Sequence, residues 1–336
     1  MLSKITVSPA PHISQKLSTQ RVMLDVIIGL CFPAAAAIWY FRLQGVLVMV
    51  ACVASCMFFE WVCTFIRKKP NSLGDLSAVV TGLILAMSLP PAIPLWAVVV
   101  GSGFAIIIAK MLFGGLGSNI FNPAMAARAF MTASFGALMT TWTVPATLDA
   151  QMPQVTAANT AATTQATPLA WAKMALKEQA EVEEANWMVK NSFFGNEGGC
   201  LGETSALALL IGGVYLLIRR TIAFHLPAAV LVSAFVFAAI FYMVDPTKYA
   251  VPWLHLVGGG MLICAFFIAT DPVTAPLSVK GMWIFGAGVG ALVMLIRLVG
   301  EYPEGVMYAV LIMNAVSPLI DRACRLVPAG GKPHVQ

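Results

Sequence analysis

Runs of about twenty apolar residues recur along nearly the whole chain, and they leave it few choices of fold. A helix that crosses a bilayer needs roughly 20 mostly apolar residues. Ten stretches come near that length: 22–41, 45–66, 75–90, 95–113, 121–142, 203–218, 223–243, 253–270, 281–298 and 305–322. In hydrocarbon the backbone has to satisfy its own hydrogen bonds, which long unalternating runs do as helices. The expected fold is an all-α integral membrane protein of about ten transmembrane helices. Composition agrees, with 10% of the 336 residues charged and 59% hydrophobic, where a soluble domain is nearer a quarter charged. The net charge of +5 is not gathered into any basic run longer than Arg67-Lys68-Lys69, so a nucleic-acid partner is not expected.

Several runs are interrupted. Pro90-Pro91 closes the third, Asn122-Pro123 opens the fifth and Asp271-Pro272 ends the eighth. Such breaks are tolerated at membrane depth where the freed backbone is buried or lines a cavity. The first residues are polar, so no cleavable signal peptide is expected. Lys and Arg favour cytoplasmic loops. With the N-terminus inside and the spans alternating, Lys4, Lys16, Arg21, Arg67, Lys68, Lys69, Lys110, Arg128, Arg219, Arg220, Lys280, Arg322, Arg325 and Lys332 fall on the inner side. Arg42, Lys173, Lys177, Lys190, Lys248 and Arg297 fall outside. This gives an N-terminal membrane half (1–142), an extracytoplasmic loop (143–202) and a C-terminal membrane half (203–336), with both termini cytoplasmic. Within the loop, Leu169–Met188 reads as an amphipathic surface helix.

A short internal repeat points the same way. Leu73-Gly74-Asp75-Leu76-Ser77-Ala78 opens the third span, and Leu201-Gly202-Glu203-Thr204-Ser205-Ala206 opens the sixth from the other side. Two five-helix halves of opposite sense are the pattern of an inverted repeat, whose sites lie between the halves.

Ionisable groups within membrane helices are costly and are functional candidates by default. Asp25 and Glu60 fall within the first two spans and Arg128 within the fifth. Asp75, Glu203, Asp271 and Asp321 lie at span ends and are candidates for coupling to ion movement. For Asp75 and Glu203, capping of a helix start is an equally good account. The seven cysteines include Cys52, Cys56 and Cys63 on one helix face, which reads as small apolar packing rather than a metal set. The glycine-rich Phe113–Asn119 stretch ends without Gly-Lys-Ser and is no phosphate loop; it reads as a flexible loop feeding a broken helix. Gly258-Gly259-Gly260 reads as close helix packing.

The polar exception is Thr156–Ala170, uncharged and rich in Thr, Ala and Gln. Thr167 precedes Pro168, which biases it toward extended backbone. No general base is paired with it, so it is no self-activated nucleophile. It can act as an acceptor for a separate modifying enzyme, which requires it to be exposed.

Taken together, Ser8-Pro9-Ala10-Pro11-His12-Ile13, Leu73-Gly74-Asp75, Asn119-Ile120-Phe121-Asn122-Pro123-Ala124, Ala166-Thr167-Pro168-Leu169, Leu201-Gly202-Glu203 and Ala269-Thr270-Asp271-Pro272 are carried in order. In these motifs the chain resembles the RnfD family, membrane proteins of the Rnf complex, the ion-pumping ferredoxin:NAD+ oxidoreductase. It is also similar to the homologous NqrB proteins of the Na+-pumping NADH:quinone oxidoreductase. The resemblance implies FMN joined through a phosphoester to Thr167 by a separate flavin transferase. It also implies a second, non-covalent flavin, riboflavin, in the membrane part, and the iron–sulfur and flavin subunits of the complex as partners in the bacterial inner membrane. The chain departs from the transferase motif at Gln165 and Ala161 and keeps Thr164. Ten helices with midplane acids would also suit a flavin-free channel or transporter.

Overall fold

The computed structural model describes residues 18–69, 72–142, 167–177, 182–195 and 198–325, and every regular element among them is helical. The first helix, α1 (Thr19–Ile66), carries two expected spans in one element and breaks at Arg42, whose φ is 52°. Ser18 caps its start by accepting from the Arg21 N–H. One face of α1 is buried, while Trp39, Val50, Phe58, Trp61 and Phe65 stand exposed. Large apolar side chains on the outside of a helix bundle are what a lipid-facing surface requires.

The third expected span is short. A 3-10 turn (Leu73–Asp75) and Leu76, at φ 63°, lead into α2 (Ser77–Met87). Gly82 lets α2 approach α1 closely, because a Cβ there would lie 2.8 Å from Val53 Cα. Helix α3 (Leu95–Gly103) runs on as a π-helix over Phe104–Met111. The fifth expected span is cut into α4 (Pro123–Ser134) and α5 (Gly136–Met139). Asn122 caps α4, its side chain accepting from the Ala124 and Met125 N–H groups, with Pro123 at the first helical position, where a missing N–H costs nothing.

Beyond the loop come α6 (Pro168–Leu176), α7 (Val182–Trp187) and α8 (Val189–Phe194). The expected surface helix is thus divided, and Pro168, Leu169, Ala172 and Ala175 of α6 are buried. Ala172 and Ala175 pack with Ala250 and Leu254 in a small core of their own. A second 3-10 turn (Leu201–Glu203) opens α9 (Ala206–Ile218). The Leu201 N–H donates to Leu89 O at 3.0 Å, so the second turn stands where α2 ends. Helix α9 then runs back toward the end of the bundle where α2 begins, since Thr221 and Ser77 line one cavity there. The two repeat-related turns therefore sit at opposite ends of the bundle.

Helix α10 (His225–Val244) packs along α13 (Val279–Leu298) through Gly286 and Gly290, four residues apart. A Cβ on Gly286 would lie 2.6 Å from Ala229 Cβ, and one on Gly290 2.4 Å from Val230 O. Small residues at this spacing let two membrane helices touch along their backbones. Between them the eighth expected span is broken into α11 (Pro252–Val257), α12 (Met261–Ile263) and a π-helix (Cys264–Ile268). The last helix, α14 (Val306–Ala323), completes an all-α membrane protein.

Candidate functional site

The bundle has two polar ends, and the predicted site residues divide between them. At one end Thr167 is the N-cap of α6: its backbone is extended (φ −69°, ψ 157°) and its Oγ1 accepts from the Ala170 N–H at 3.1 Å. The extended geometry was expected from Pro168, but the exposure was not, for Thr167 is only 9% exposed. Capping turns the hydroxyl inward toward a small cavity that it shares with Trp142, Glu203, Gly259, Pro303 and Glu304.

Behind this cavity lies a balanced set of four charges. Arg128 Nη2 is 3.5 Å from Glu203 Oε1 and 3.3 Å from Cys200 Sγ. Arg297 Nη2 is 3.2 Å from Glu304 Oε2, and its Nη1 donates to His255 O at 2.6 Å. Glu304 Oε2 accepts from the Gly260 N–H at 2.9 Å, and its Oε1 accepts from the Gly305 and Val306 N–H groups. Arg297 also donates to Gly258 O. The clamp thereby satisfies the backbone freed between α11 and α12, as buried polar groups require. Gly258–Gly260 is thus a clamped break as well as a packing point. Gly259 has φ +68°, and a Cβ there would lie 2.4 Å from Leu169 Cδ1. The break and the Thr167 segment fit together only because that position is glycine.

One sequence expectation is corrected at this end. Arg128, counted with the inner charges, lies beside Cys200 and Glu203 at the Thr167 end, because Asn122-Pro123 starts α4 deep in the bundle and carries Arg128 on toward that end. Glu203 caps its own turn by accepting from the Cys200 N–H, and it also faces Arg128; its Oε1 is buried and has no hydrogen-bond partner.

The other end holds a cavity between α1, α2, α4 and the Phe266–Val273 stretch, about 720 Å³ of non-atom space that is partly open to solvent. Val26, Ile84, Phe266 and Phe267 form apolar walls, while Ser77, Thr81, Thr221, Thr270 and Asp271 supply hydroxyls and a carboxylate. Left-handed Gly114, Gly115 and Gly117 turn the loop that delivers Asn119 to this cavity. Asn119 is 6% exposed, and its Oδ1 is buried without a partner.

Of the carboxylates, Asp75 accepts from the Ser77 N–H at 2.8 Å and so caps α2. Asp271 accepts from the Val273 N–H and the Thr274 hydroxyl, and it lines the cavity. Asp321 stands apart and accepts from the Leu277 N–H. The four ion-coupling candidates therefore form no single cluster: Glu203 is with Thr167, Asp271 lines the opposite cavity, Asp75 reaches that cavity only through Ser77, and Asp321 lies outside both. Among the described residues no three metal-ligating side chains come together. Residues 8–13, Ala161, Thr164 and Gln165 lie outside the described residues.

Sequence reasoning passed over Lys110, Arg297, Glu304 and Asn119 as site residues. Lys110 carried a readable signal, a charge inside the apolar run 104–113. Glu304 carried none, since its partners are Gly260, 44 residues away in sequence, Arg297 across the turn between two helices, and N–H groups of its own turn.

An all-helical bundle with lipid-facing sides, two broken spans and a buried polar site at each end defines a polytopic membrane protein of the transporter or translocase kind. More narrowly, residues 6–330 match the model of the NQR2, RnfD, RnfE family, and the chain belongs to that family. It is 42% identical over 320 residues to the D subunit of the Na(+)-translocating ferredoxin:NAD(+) oxidoreductase complex of Acetobacterium woodii, covering 95% of this chain and 93% of that protein. It is 38% identical over 329 residues to the D subunit of the proton-translocating ferredoxin:NAD(+) oxidoreductase complex of Clostridium ljungdahlii, covering 97% and 96%. The D subunit of an ion-translocating oxidoreductase complex from Halorhodospira halophila is 38% identical over 330 residues, covering 94% and 92%.

Proposed function

We propose that the chain is the flavin-carrying membrane subunit of an ion-translocating ferredoxin:NAD+ oxidoreductase. The observation that supports this best is its near full-length similarity to proteins named as the D subunits of such complexes. Those two relatives are named for different ions, so similarity does not choose between Na+ and H+. The protein works with the other subunits of the complex, which hold the iron–sulfur centres. It lies in the bacterial inner membrane with both termini cytoplasmic and Thr167 on the outer face.

Thr167 is the attachment point for FMN, placed there by a flavin transferase. The hydroxyl caps the N-terminus of α6, so a phosphoryl group on Oγ1 meets free N–H groups and the positive end of the helix dipole. Arg128 and Arg297 offset Glu203 and Glu304 next to it, which keeps the added negative charge tolerable. Because Thr167 is buried in the folded chain, the transferase acts on an open form of the 167–170 segment. The cavity at the opposite end suits the second, non-covalent flavin: apolar walls accept a flat ring, and the unpartnered Asn119 Oδ1 accepts a ring or ribityl hydrogen. When bound, the flavins supply one- and two-electron chemistry, while the protein sets their place and surroundings.

The test is direct. The purified chain, co-expressed with a flavin transferase, denatured and run on a gel, is expected to give a fluorescent flavin band that Thr167→Ser keeps and Thr167→Ala loses. A dark wild-type band favours a flavin-free transporter.

A further inference from the structure

Lys110 is 1% exposed in the middle of an apolar run. Its Nζ donates to Glu60 Oε2 at 2.5 Å and to Ser77 Oγ at 2.6 Å, and Glu60 is fully buried. The Ser77 hydroxyl donates in turn to Asp75 Oδ1 at 2.5 Å, and Asp75 is half-exposed at the rim of the bundle. On the other side, Ser72 Oγ donates to Glu60 Oε1 at 2.5 Å. An unbroken file of exchangeable protons thus runs from Asp75 through Ser77 to Lys110. Both Ser77 and Lys110 are on the wall of the cavity that Asn119 and Asp271 also line.

We propose that Asp75, Ser77 and Lys110 are a proton relay from the bundle rim to this cavity, with Lys110 as the group that hands the proton over. The inference rests on the reading that the cavity holds the non-covalent flavin. An ion pair kept only for stability is replaceable by apolar residues at little cost or with a gain, and each charge placed in a membrane helix costs roughly 2.5–3.5 kcal/mol on insertion. Here the cation faces the cavity and Glu60 stands behind it. Lys110 also lies on the π-helix, an uncommon geometry that recurs at functional sites. The groups that face Lys110 are Glu60 and Cys56 on α1, Asp75 and Ser77 at the start of α2, and Asp271 across the cavity.

The step balances as follows. The electron would come to the bound flavin from the preceding carrier of the complex. With the flavin bound, an N–H bond of the Lys110 ammonium would break and its proton would pass to the flavin as the electron arrives. The amine left behind takes the Ser77 hydroxyl proton, and Ser77 is refilled from Asp75 and the water at the rim. Electron and proton enter together, so a low-dielectric cavity gains no net charge. Glu60 keeps its negative charge, which favours prompt refilling of Lys110.

The experiment uses the full chain with Thr167→Ala, so that only the non-covalent flavin remains. Reductant is mixed in by stopped flow in weak buffer, and flavin bleaching and proton uptake are followed together by absorbance and a pH dye. Extracted flavin is quantified in each variant. Proton uptake, scaled to the flavin each variant retains, is expected to keep pace with bleaching in the parent, to lag by at least about tenfold with Ser77→Ala and to recover with Ser77→Thr. Lys110→Arg keeps the charge but holds its proton, and is expected to lag likewise; a merely structural cation would pass that test. If both variants take up protons at the parent rate with flavin bound, the relay is wrong. If Lys110→Arg fails to accumulate, Ser77→Ala alone decides. A Thr167→Ala chain that binds no flavin overturns the underlying reading, and the relay with it.

Discussion

The Thr167 end and the Asp75 end use the same ingredients and finish them differently. Each has a broken span, a buried cation and carboxylates. At the Thr167 end the charges clamp backbone: Arg297 and Glu304 together hold His255 O, Gly258 O and the N–H groups of Gly260, Gly305 and Val306, with Glu203 Oε1 left without a partner. At the Asp75 end the bonds run in a file, the cavity stays open, and Asn119 Oδ1 waits for a donor. Charges bonded to backbone fix its geometry, whereas a file of side-chain hydrogen bonds beside an open cavity leaves room for a ligand. The first end is therefore a clamp on its own backbone; under the function proposed above it would seat the tethered group, and the second would be where charge moves.

The largest expected effect tests the claim of rigidity. Arg297→Ala leaves Glu304 buried without its counter-charge and strips the carbonyls of His255 and Gly258. A loss of about 3–5 kcal/mol follows, read as a large fall in the detergent melting temperature. A near-normal melting temperature would show that the clamp does not hold the Gly258–Gly260 break.

Next in size is Thr167→Ala. Had the hydroxyl been on the surface, its loss would change stability by no more than about 0.5 kcal/mol. As an N-cap it is worth about 1 kcal/mol, so the variant should melt slightly lower even when made without a flavin transferase. An unchanged melting point in flavin-free protein would mean that α6 is held by Leu169 and its neighbours alone.

The smallest effect on stability belongs to the open end. Asp271→Asn and Asp75→Asn can keep an acceptor oxygen toward Val273 N–H and Ser77 N–H, so both variants should assemble with normal flavin content. Ion-dependent turnover of the complex should nevertheless fall. Full turnover in both would reduce these carboxylates to caps and erase the contrast between the ends.

The sequence made the apolar runs, the breaks at Asn122-Pro123 and Asp271-Pro272 and the paired Leu-Gly-acid turns legible, because each is a local signal with its own period or punctuation. The structure keeps all of them. Side-chain partners were not legible. Arg128, within the fifth span, was counted on the inner side because alternation of spans assumes that each crosses fully, and the span that carries it is broken. Thr167 looked exposed because a polar loop hides whether its last residue caps a buried helix. The Lys110–Glu60 pair joins residues fifty apart with no shared periodicity; only the expense of a charge in an apolar run marked either of them.

The break at Arg42 bears on how the chain reaches the membrane at all. The two arms of α1 reverse on a single residue, tightly enough that a Cβ on Gly45 would lie 3.3 Å from Ala37 O. Arg42 itself rests over the Trp39 ring, 5.2 Å from its centroid, where an aromatic and a cation suit the headgroup layer. With no loop between them, the two arms of this 48-residue element are expected to enter the bilayer as a pair. The orientation of everything that follows is thus set by one decision about a pair.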